Sequence, residues 1–182
     1  LRLARLLAGW LPEGGSGSIS TVPIGFRRGF PETDLPKAYA AVRGVLGELA
    51  ELFAKTGRRI RLAVEAEPGC LIETTAQMVA FFEKLGAPAA QKAHLCVCYD
   101  CCHQALQYED PAASLAALAA AGIEVGHVQA SSALHLDGGD LSRLARFVEP
   151  VYLHQAVARL PDGSLRRFDD LPQALAARLD GV

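Results

Sequence analysis

The sequence predicts an α/β protein whose parallel sheet belongs to a (β/α)8 TIM barrel, present as a partial barrel or a fragment. Short apolar runs alternate with longer helical patterns, which is the order of βαβ units. Three consecutive predicted strands end in Glu65, Asp100 and Gln129, and a barrel builds its site from the C-terminal ends of several strands. No glycine-rich turn follows a predicted strand, which argues against a doubly wound dinucleotide-binding sheet.

Each predicted strand is a short apolar run bounded by turn signals or charged residues. In chain order the strands are GSGSISTVPIG (15–25), RIRLAVEAEPG (59–69), AHLCVCYD (93–100), IEVGHVQASS (123–132) and PVYLHQAVAR (150–159). The stretch LPDGSLRRF that follows is turn-rich and fits a hairpin. A full barrel takes about 250 residues. We therefore expect one barrel domain over residues 1–182, incomplete at both ends.

Helix boundaries are marked by capping residues. A helix is expected to begin at Thr33 or Asp34 and to stop at Gly57, with apolar residues spaced by three or four. Thr74 and Gln77 form the capping-box pattern of the next helix. Further signals are Gly86 as the end of that helix, Asp110 and Pro111 before a helix closed by Gly122, Asp140 before a short helix to Val148, Pro172 near the start of a last helix, and residues 1–10 as the tail of an amphipathic helix.

Composition excludes some partners. The formal charge is −2 and about half of the 182 residues are hydrophobic. Without a basic run, nucleic-acid binding through phosphate contacts is not expected. The apolar runs are shorter than a membrane span, so no membrane partner is expected. The predicted location is the cytoplasm, for which the cysteine pattern described next is the reason. An open barrel exposes strand edges, which favours pairing with a second copy as a homo-oligomer.

Five cysteines raise the question of a zinc cluster, a disulfide or simple core residues. Four of them fall within residues 96–102, whereas a structural zinc site usually takes two separated pairs and Cys70 stands alone. The pattern fits a reducing cytosol better than a disulfide scaffold. Cys96 and Cys98 share the strand face of Asp100, which predicts buried free thiols in the barrel interior. Cys101 and Cys102 follow on the loop and receive no role.

The strand-end residues suit a metal ion. Asp100 and His103 can turn into one cleft, Glu65 adds a carboxylate, and Gln129 adds an amide oxygen. These ligands suit Mg²⁺, Mn²⁺, Co²⁺, Fe²⁺ or Zn²⁺. The alternatives are that Asp100 only caps the following turn, that His103 is a surface residue, and that Glu67, which has the same parity as Glu65, is the ligand instead.

Strand alternation decides which side chains share a face. It places Gln129 on one face with His127 and Val125. His127 is open to a second interpretation, as a core histidine bonded to a carbonyl.

At these residues the sequence resembles a known family. VCYDCCH is similar to the D-T-x-H strand end of the xylose isomerase-like barrels, which include sugar-phosphate isomerases and epimerases and the endonuclease IV type. GHVQ resembles the G-H-I-Q of hydroxypyruvate isomerase-type members, and LAVEAEPG resembles the strand whose glutamate binds the metal and moves a proton. Across residues 18–182 the combined pattern most resembles the metabolite-traffic (Ebo-type) branch.

The resemblance implies a divalent metal ion held by Glu65, Asp100 and Gln129, with His103 as a ligand or substrate contact. It implies Glu65 and His103 as catalytic residues. In the sugar isomerases a second glutamate late in the chain completes the site, and PVYLHQAV offers none at a strand end.

Three functions follow from the resemblance. The first is a metal-dependent isomerase or epimerase of a small sugar-like or sugar-phosphate-like carbonyl compound. The second is a non-catalytic member that binds or transfers a metabolite. The third, an endonuclease IV-like phosphodiesterase, needs a larger histidine and carboxylate cluster than five histidines readily supply.

Overall fold

The computed structural model describes residues 1–138 and 140–177. The chain divides into two compact units, Leu1–Ser131 and Ser132–Val182. The expectation of a single barrel domain over residues 1–182 stays a prediction, and Gly139 and residues 178–182 lie outside the described residues. No helix in the described ranges combines the length and the apolar character that crossing a membrane requires.

The first unit is built on a parallel sheet of four strands. These are β1 (Ser16–Thr21), β2 (Arg59–Glu65), β3 (Leu95–Asp100) and β4 (Val125–Gln129). Their order in the sheet is their order in the chain, and every pair is parallel. Consecutive parallel strands joined by helical crossovers are the construction of a TIM barrel. The sheet is half of such a barrel, so the predicted fold class is confirmed.

Six α-helices accompany this sheet. They are α1 (Arg2–Trp10), α2 (Leu35–Thr56), α3 (Thr75–Leu85), α4 (Ala89–Lys92), α5 (Cys101–Leu106) and α6 (Pro111–Ala120). The predicted capping box of Thr74 and Gln77 opens α3, and Asp110 caps α6 through the amide of Ala113. Asp34 precedes α2 but its side chain makes no capping hydrogen bond, because it pairs with Lys37 at 2.8 Å instead.

The two faces of the sheet have different surroundings. On the outer face, strand residues such as Val64 and Val97 are buried in the main apolar core together with Met78 and Phe81 of α3. On the inner face, three small side chains form a separate cluster with no exposed surface, namely Ala63, Cys96 and Cys98. The predicted placement of Cys96 and Cys98 as buried interior thiols is confirmed.

Strand β4 contains a β-bulge. Val97 lies opposite Val125, but the next residue, Cys98, lies opposite His127, so Gly126 is an extra residue in β4. A bulge of this kind resets the alternation of side chains along the strand.

The bulge corrects one expectation about β4. Val125 packs against the outer core, so the prediction that it shares a face with His127 and Gln129 is wrong. Gly126 comes so near to β3 that an added Cβ would lie 2.4 Å from the Sγ of Cys96. Only glycine leaves room for this approach.

The second unit is small and locally folded. It contains a 3₁₀ helix (Leu141–Phe147), β5 (Ala156–Arg159), β6 (Leu165–Phe168) and α7 (Leu171–Ala176). The predicted cap Asp140 accepts from the amide of Ser142, although the helix that it opens is 3₁₀ rather than α.

The fifth predicted strand is not a fifth parallel strand. Only Ala156–Arg159 of residues 150–159 is extended, and it pairs antiparallel with β6. The tight turn closes through a 2.8 Å bond from the Gly163 amide to the Leu160 carbonyl. A short hairpin forms at a low cost in loop entropy, so the local partner is preferred.

Candidate metal and proton-transfer site

Three strand ends meet at one edge of the inner face. Glu65, Asp100 and Gln129 are the last residues of β2, β3 and β4, as the sequence predicts. Asp100 pairs directly with Gln129 in the sheet, and Glu65 pairs with Cys98. With His103 from the first turn of α5, these three residues make what we call the strand-end cluster.

Glu65 is at the centre of the strand-end cluster, with 8% of its surface exposed. Its Oε2 accepts hydrogen bonds from Gln129 Nε2 at 2.6 Å and from Ser20 Oγ at 3.1 Å. Its Oε1 lies 3.0 Å from His103 Nδ1. Glu67 instead lies beside Cys70, whose thiol pKa it helps to raise, so Glu65 is the glutamate that contacts the other predicted residues.

Asp100 divides its two carboxylate oxygens between two tasks. Oδ1 accepts hydrogen bonds from Ser131 Oγ at 2.6 Å and from the amides of Cys102 and His103 at 2.9 and 3.2 Å, so the aspartate does cap α5. Oδ2 lies 4.0 Å from His103 Nδ1. Burial opposes the charge of Asp100, but the hydrogen bonds outweigh it and hold the pKa below its usual value of 3.8.

His103 presents a ring nitrogen between the two carboxylates. Its side chain is 18% exposed, so it is not a surface residue. Nδ1 is fully buried and makes no hydrogen bond of acceptable geometry within the described part of the chain. A buried ring nitrogen flanked by carboxylate oxygens is the environment that a bound cation satisfies.

Gln129 turns its amide nitrogen inward. Nε2 donates to Glu65 and lies 3.3 Å from the Sγ of Cys98, which leaves Oε1 as the ligand atom that the residue can offer. Burial raises the pKa of the Cys98 thiol, so the thiol remains protonated and donates to Glu65 Oε2 at 3.7 Å. Burial likewise raises the pKa of Cys96 to about 11.

Four neighbours of the site do not follow from the strand-end pattern in the sequence. Ser20 and Ser131 bond to Glu65 and Asp100. Cys102 offers a third ligand atom beside Asp100 and His103, with all three ligand atoms within 4.8 Å of one another. Ser18 Oγ lies 3.0 Å from the Nδ1 of His127.

A signal for some of these neighbours exists in the sequence. Ser18 and Ser20 are two residues apart in the first predicted strand, so their side chains lie on the same face. The hydroxyl partner of His127 also differs from the carbonyl partner that the sequence suggested.

A family match agrees with this architecture. Residues 15–161 match the model of a family described as the xylose isomerase-like TIM barrel. Among curated proteins, none matches the chain significantly. Among solved structures, the chain is similar to apo 3-keto-D-glucoside 4-epimerase from E. coli, with 19% identity and a TM-score of 0.47. That similarity covers 80% of this chain and 55% of the epimerase chain, so this chain spans about half of its length.

Proposed function

The chain belongs to the xylose isomerase-like TIM barrel family, and we propose that it is a divalent-metal-dependent isomerase or epimerase of a small sugar-like or sugar-phosphate-like carbonyl compound. One observation carries the proposal: three neighbouring strands of the half-barrel each contribute their last residue to the strand-end cluster around His103. Site residues at the C-terminal ends of barrel strands are the usual arrangement of catalytic TIM barrels.

The donor set fits a divalent ion. Glu65, Asp100 through Oδ2, His103 through Nδ1 and Gln129 through Oε1 would hold it. Two carboxylates, an imidazole and an amide oxygen suit Mg²⁺, Mn²⁺, Co²⁺, Fe²⁺ or Zn²⁺. An ion bound there would polarise the oxygens of a hydroxy-carbonyl substrate and stabilise developing negative charge. The buried Nδ1 of His103, which has no hydrogen bond, supports this fit.

Glu65 is the proposed proton carrier. Ser20 and Gln129 hold its Oε2 in place, so the orientation of the carboxylate is fixed before a substrate arrives. In the proposed isomerisation Glu65 takes the proton from the hydroxyl-bearing carbon beside the carbonyl and returns it to the carbonyl carbon, while the hydroxyl proton moves to the carbonyl oxygen. His103 is the proposed second proton-transfer group, which would carry that hydroxyl proton through Nε2 while Nδ1 holds the ion.

The test compares metal binding and proton exchange in two matched variants. We expect Mn²⁺, Co²⁺ or Zn²⁺ to raise the melting temperature of the wild-type chain and of Glu67→Gln, but much less that of Glu65→Gln. In D₂O, NMR should show deuterium entering the carbon next to the carbonyl of one member of a ketose and ketose-phosphate panel. Loss of the general base should slow this exchange about 100-fold or more. The absence of both a metal-dependent shift and exchange would contradict the proposal.

A second candidate is a metabolite-binding member without catalysis, as the metabolite-traffic resemblance suggests. The sugar isomerases that the chain resembles complete their site with a second glutamate, whereas the strand-end cluster contains only Glu65. This difference favours binding without catalysis. This candidate predicts that a sugar raises the melting temperature while no deuterium exchange occurs. Under either candidate function, the five free thiols support the proposal that the protein resides in a reducing compartment, the cytoplasm.

A further inference from the structure

We propose that the thiol of Cys102 is a further ligand at this metal site, and that the site therefore prefers a thiolate-binding ion such as Zn²⁺, Co²⁺ or Fe²⁺ over Mg²⁺. The inference rests on the proposed metal site above. It is carried by the juxtaposition of Cys102 with Asp100 and His103, whose ligand atoms all lie within 4.8 Å of one another.

The distances suit an ion after a small adjustment. Zinc binds thiolate sulfur at about 2.3 Å and imidazole nitrogen at about 2.0 Å. In a tetrahedral site these bond lengths put the two ligand atoms roughly 3.6 Å apart. The three side chains would therefore close by about 1 Å, which rotation about side-chain torsions can supply.

The backbone fixes the direction of the Cys102 side chain. Asp100 ends β3 and bonds to the amides of Cys102 and His103, so both side chains leave the first turn of α5 from defined positions. The Cys102 amide also donates to the Ser131 hydroxyl at 3.0 Å, and the Cys102 Sγ lies within 4.8 Å of a carboxylate oxygen of Asp100 and of a ring nitrogen of His103. It therefore faces the same carboxylate as His103.

Its surroundings distinguish Cys102 from the other cysteines. Cys96 and Cys98 are fully buried beside Ala63, and Cys101 packs against the apolar outer core. Cys102 is half-buried, and it lies beside the Asp100 carboxylate and the Ser131 hydroxyl. A soft sulfur ligand beside oxygen and nitrogen ligands shifts a site toward zinc and similar transition metals.

Cobalt spectroscopy tests the inference on the full, metal-free chain. Visible d–d bands report that Co²⁺ is bound, whereas a near-ultraviolet sulfur-to-cobalt charge-transfer band reports a thiolate ligand. We expect both features in the wild type and in Cys101→Ser, and only the visible bands in Cys102→Ser. Melting curves of the metal-free variants establish that each is folded. Cys102→Ser should also weaken Zn²⁺ binding by at least the ~10-fold that loss of an outer-shell partner costs, with Mg²⁺ binding unchanged.

The outcomes separate this inference from the proposed function. Visible bands without a charge-transfer band in the wild type, or a charge-transfer band that survives in Cys102→Ser, would overturn the thiolate ligand and leave the metal site standing. The absence of all cobalt bands would overturn both. A second readout needs no variant: Zn²⁺ should protect Cys102 from alkylation more than Cys101, as measured by mass spectrometry, and equal protection would count against the inference.

Discussion

Gln129 donates a 2.6 Å hydrogen bond to Glu65 although the two residues are 64 positions apart and sit on strands that are not neighbours in the sheet. The bond passes over Cys98 of the intervening strand, whose Sγ contacts both residues. Such a contact requires a strongly curved sheet, because side chains two strands apart meet only on a concave face. The Ser18 to His127 contact joins β1 to β4 in the same way.

This contact predicts that a negative charge at position 129 destabilises the folded chain in a pH-dependent manner. Gln129→Glu places a second carboxylate against Glu65. Two like charges repel strongly at this distance because Glu65 is buried and position 129 is half-buried. We expect the metal-free variant to lose about 1–3 kcal/mol of stability at neutral pH. Lower pH or added Mn²⁺ should restore much of it.

The measurement is thermal unfolding at pH 5 and pH 7.5 with and without the ion. Gln129→Met is the uncharged control, and its stability should depend on pH no more than that of the wild type. A Gln129→Glu protein with the pH dependence of the control would show that the two carboxylates do not meet.

Asp100 should contribute to stability in a pH-dependent manner. Its pKa in the folded chain is lower than the usual 3.8, so its contribution is present above pH 3.8 and is lost as the pH falls through the lowered value. In Asp100→Asn, which retains an oxygen to cap α5, we expect the free energy of unfolding to fall less steeply below pH 4. Urea unfolding at a series of acidic pH values measures this slope.

Ser131→Ala provides an internal check on that result. It removes one of the hydrogen bonds that lower the pKa of Asp100, so its acid slope should lie between those of the wild type and Asp100→Asn. A slope equal to the wild type in both variants would contradict the stabilising role of these hydrogen bonds.

The close packing at the β4 bulge predicts that alanine destabilises the chain at Gly126, whereas alanine at the open helical position Gly44 has the opposite effect. Gly126→Ala puts a Cβ 2.4 Å from Cys96 Sγ and 3.1 Å from Arg61 Cζ, and overpacking of this kind costs about 1–3 kcal/mol. Gly44→Ala lies inside α2, where nothing approaches within 4 Å, and should stabilise by about 0.5–1 kcal/mol.

Urea unfolding of the two variants beside the wild type gives both free energies. The double variant Gly126→Ala with Cys96→Ala should recover part of the loss, since the 2.9 Å approach to the Cys96 Cβ remains. If Gly126→Ala were as stable as Gly44→Ala, the close approach of β4 to β3 would be refuted.

The buried thiols predict a loss of stability in alkali. Burial raises the pKa of Cys96 to about 11 and, with Glu67 nearby, that of Cys70 to about 12. A raised thiol pKa means that the folded chain prefers the protonated form, so this stability is complete below pH 9 and is lost as the pH rises toward 11 or 12. We expect the stability difference between the wild type and Cys70→Ala to shrink between pH 8.5 and pH 10.

Reaction with a thiol reagent at pH 8 checks the same point by another route. Cys70 and Cys96 should react only on the timescale of unfolding, because each is buried and protonated. Their rapid modification in the native chain, mapped by mass spectrometry, would exclude the burial described above.

Much of the first unit could be predicted because its signals are local. The four parallel strands, the capping box at Thr74 and the helix that begins at Pro111 each follow from residues within one turn or one strand. Glu65, Asp100 and Gln129 could be assigned to one cluster because parallel strands present their C-terminal ends at a common edge.

The remainder depends on contacts that no local pattern encodes. The bulge at Gly126 is set by the neighbouring strand, so alternation placed Val125 on the wrong face. Cys102 enters the site because Asp100 caps the first turn of α5, which spacing alone does not reveal. Residues 150–159 resemble a strand equally well in a barrel and in a hairpin, and the turn at Gly163 decided the partner.

The double use of Asp100 bears on how such a site would decay over evolutionary time. Its Oδ1 holds the first turn of α5, so selection for folding alone would retain an aspartate at this position after chemistry had been lost. Glu65 caps no helix in the described chain, and its replacement would carry a smaller folding penalty. Among descendants of an active ancestor, loss of the activity would therefore be accompanied by substitution at position 65, while the aspartate at position 100 would be retained.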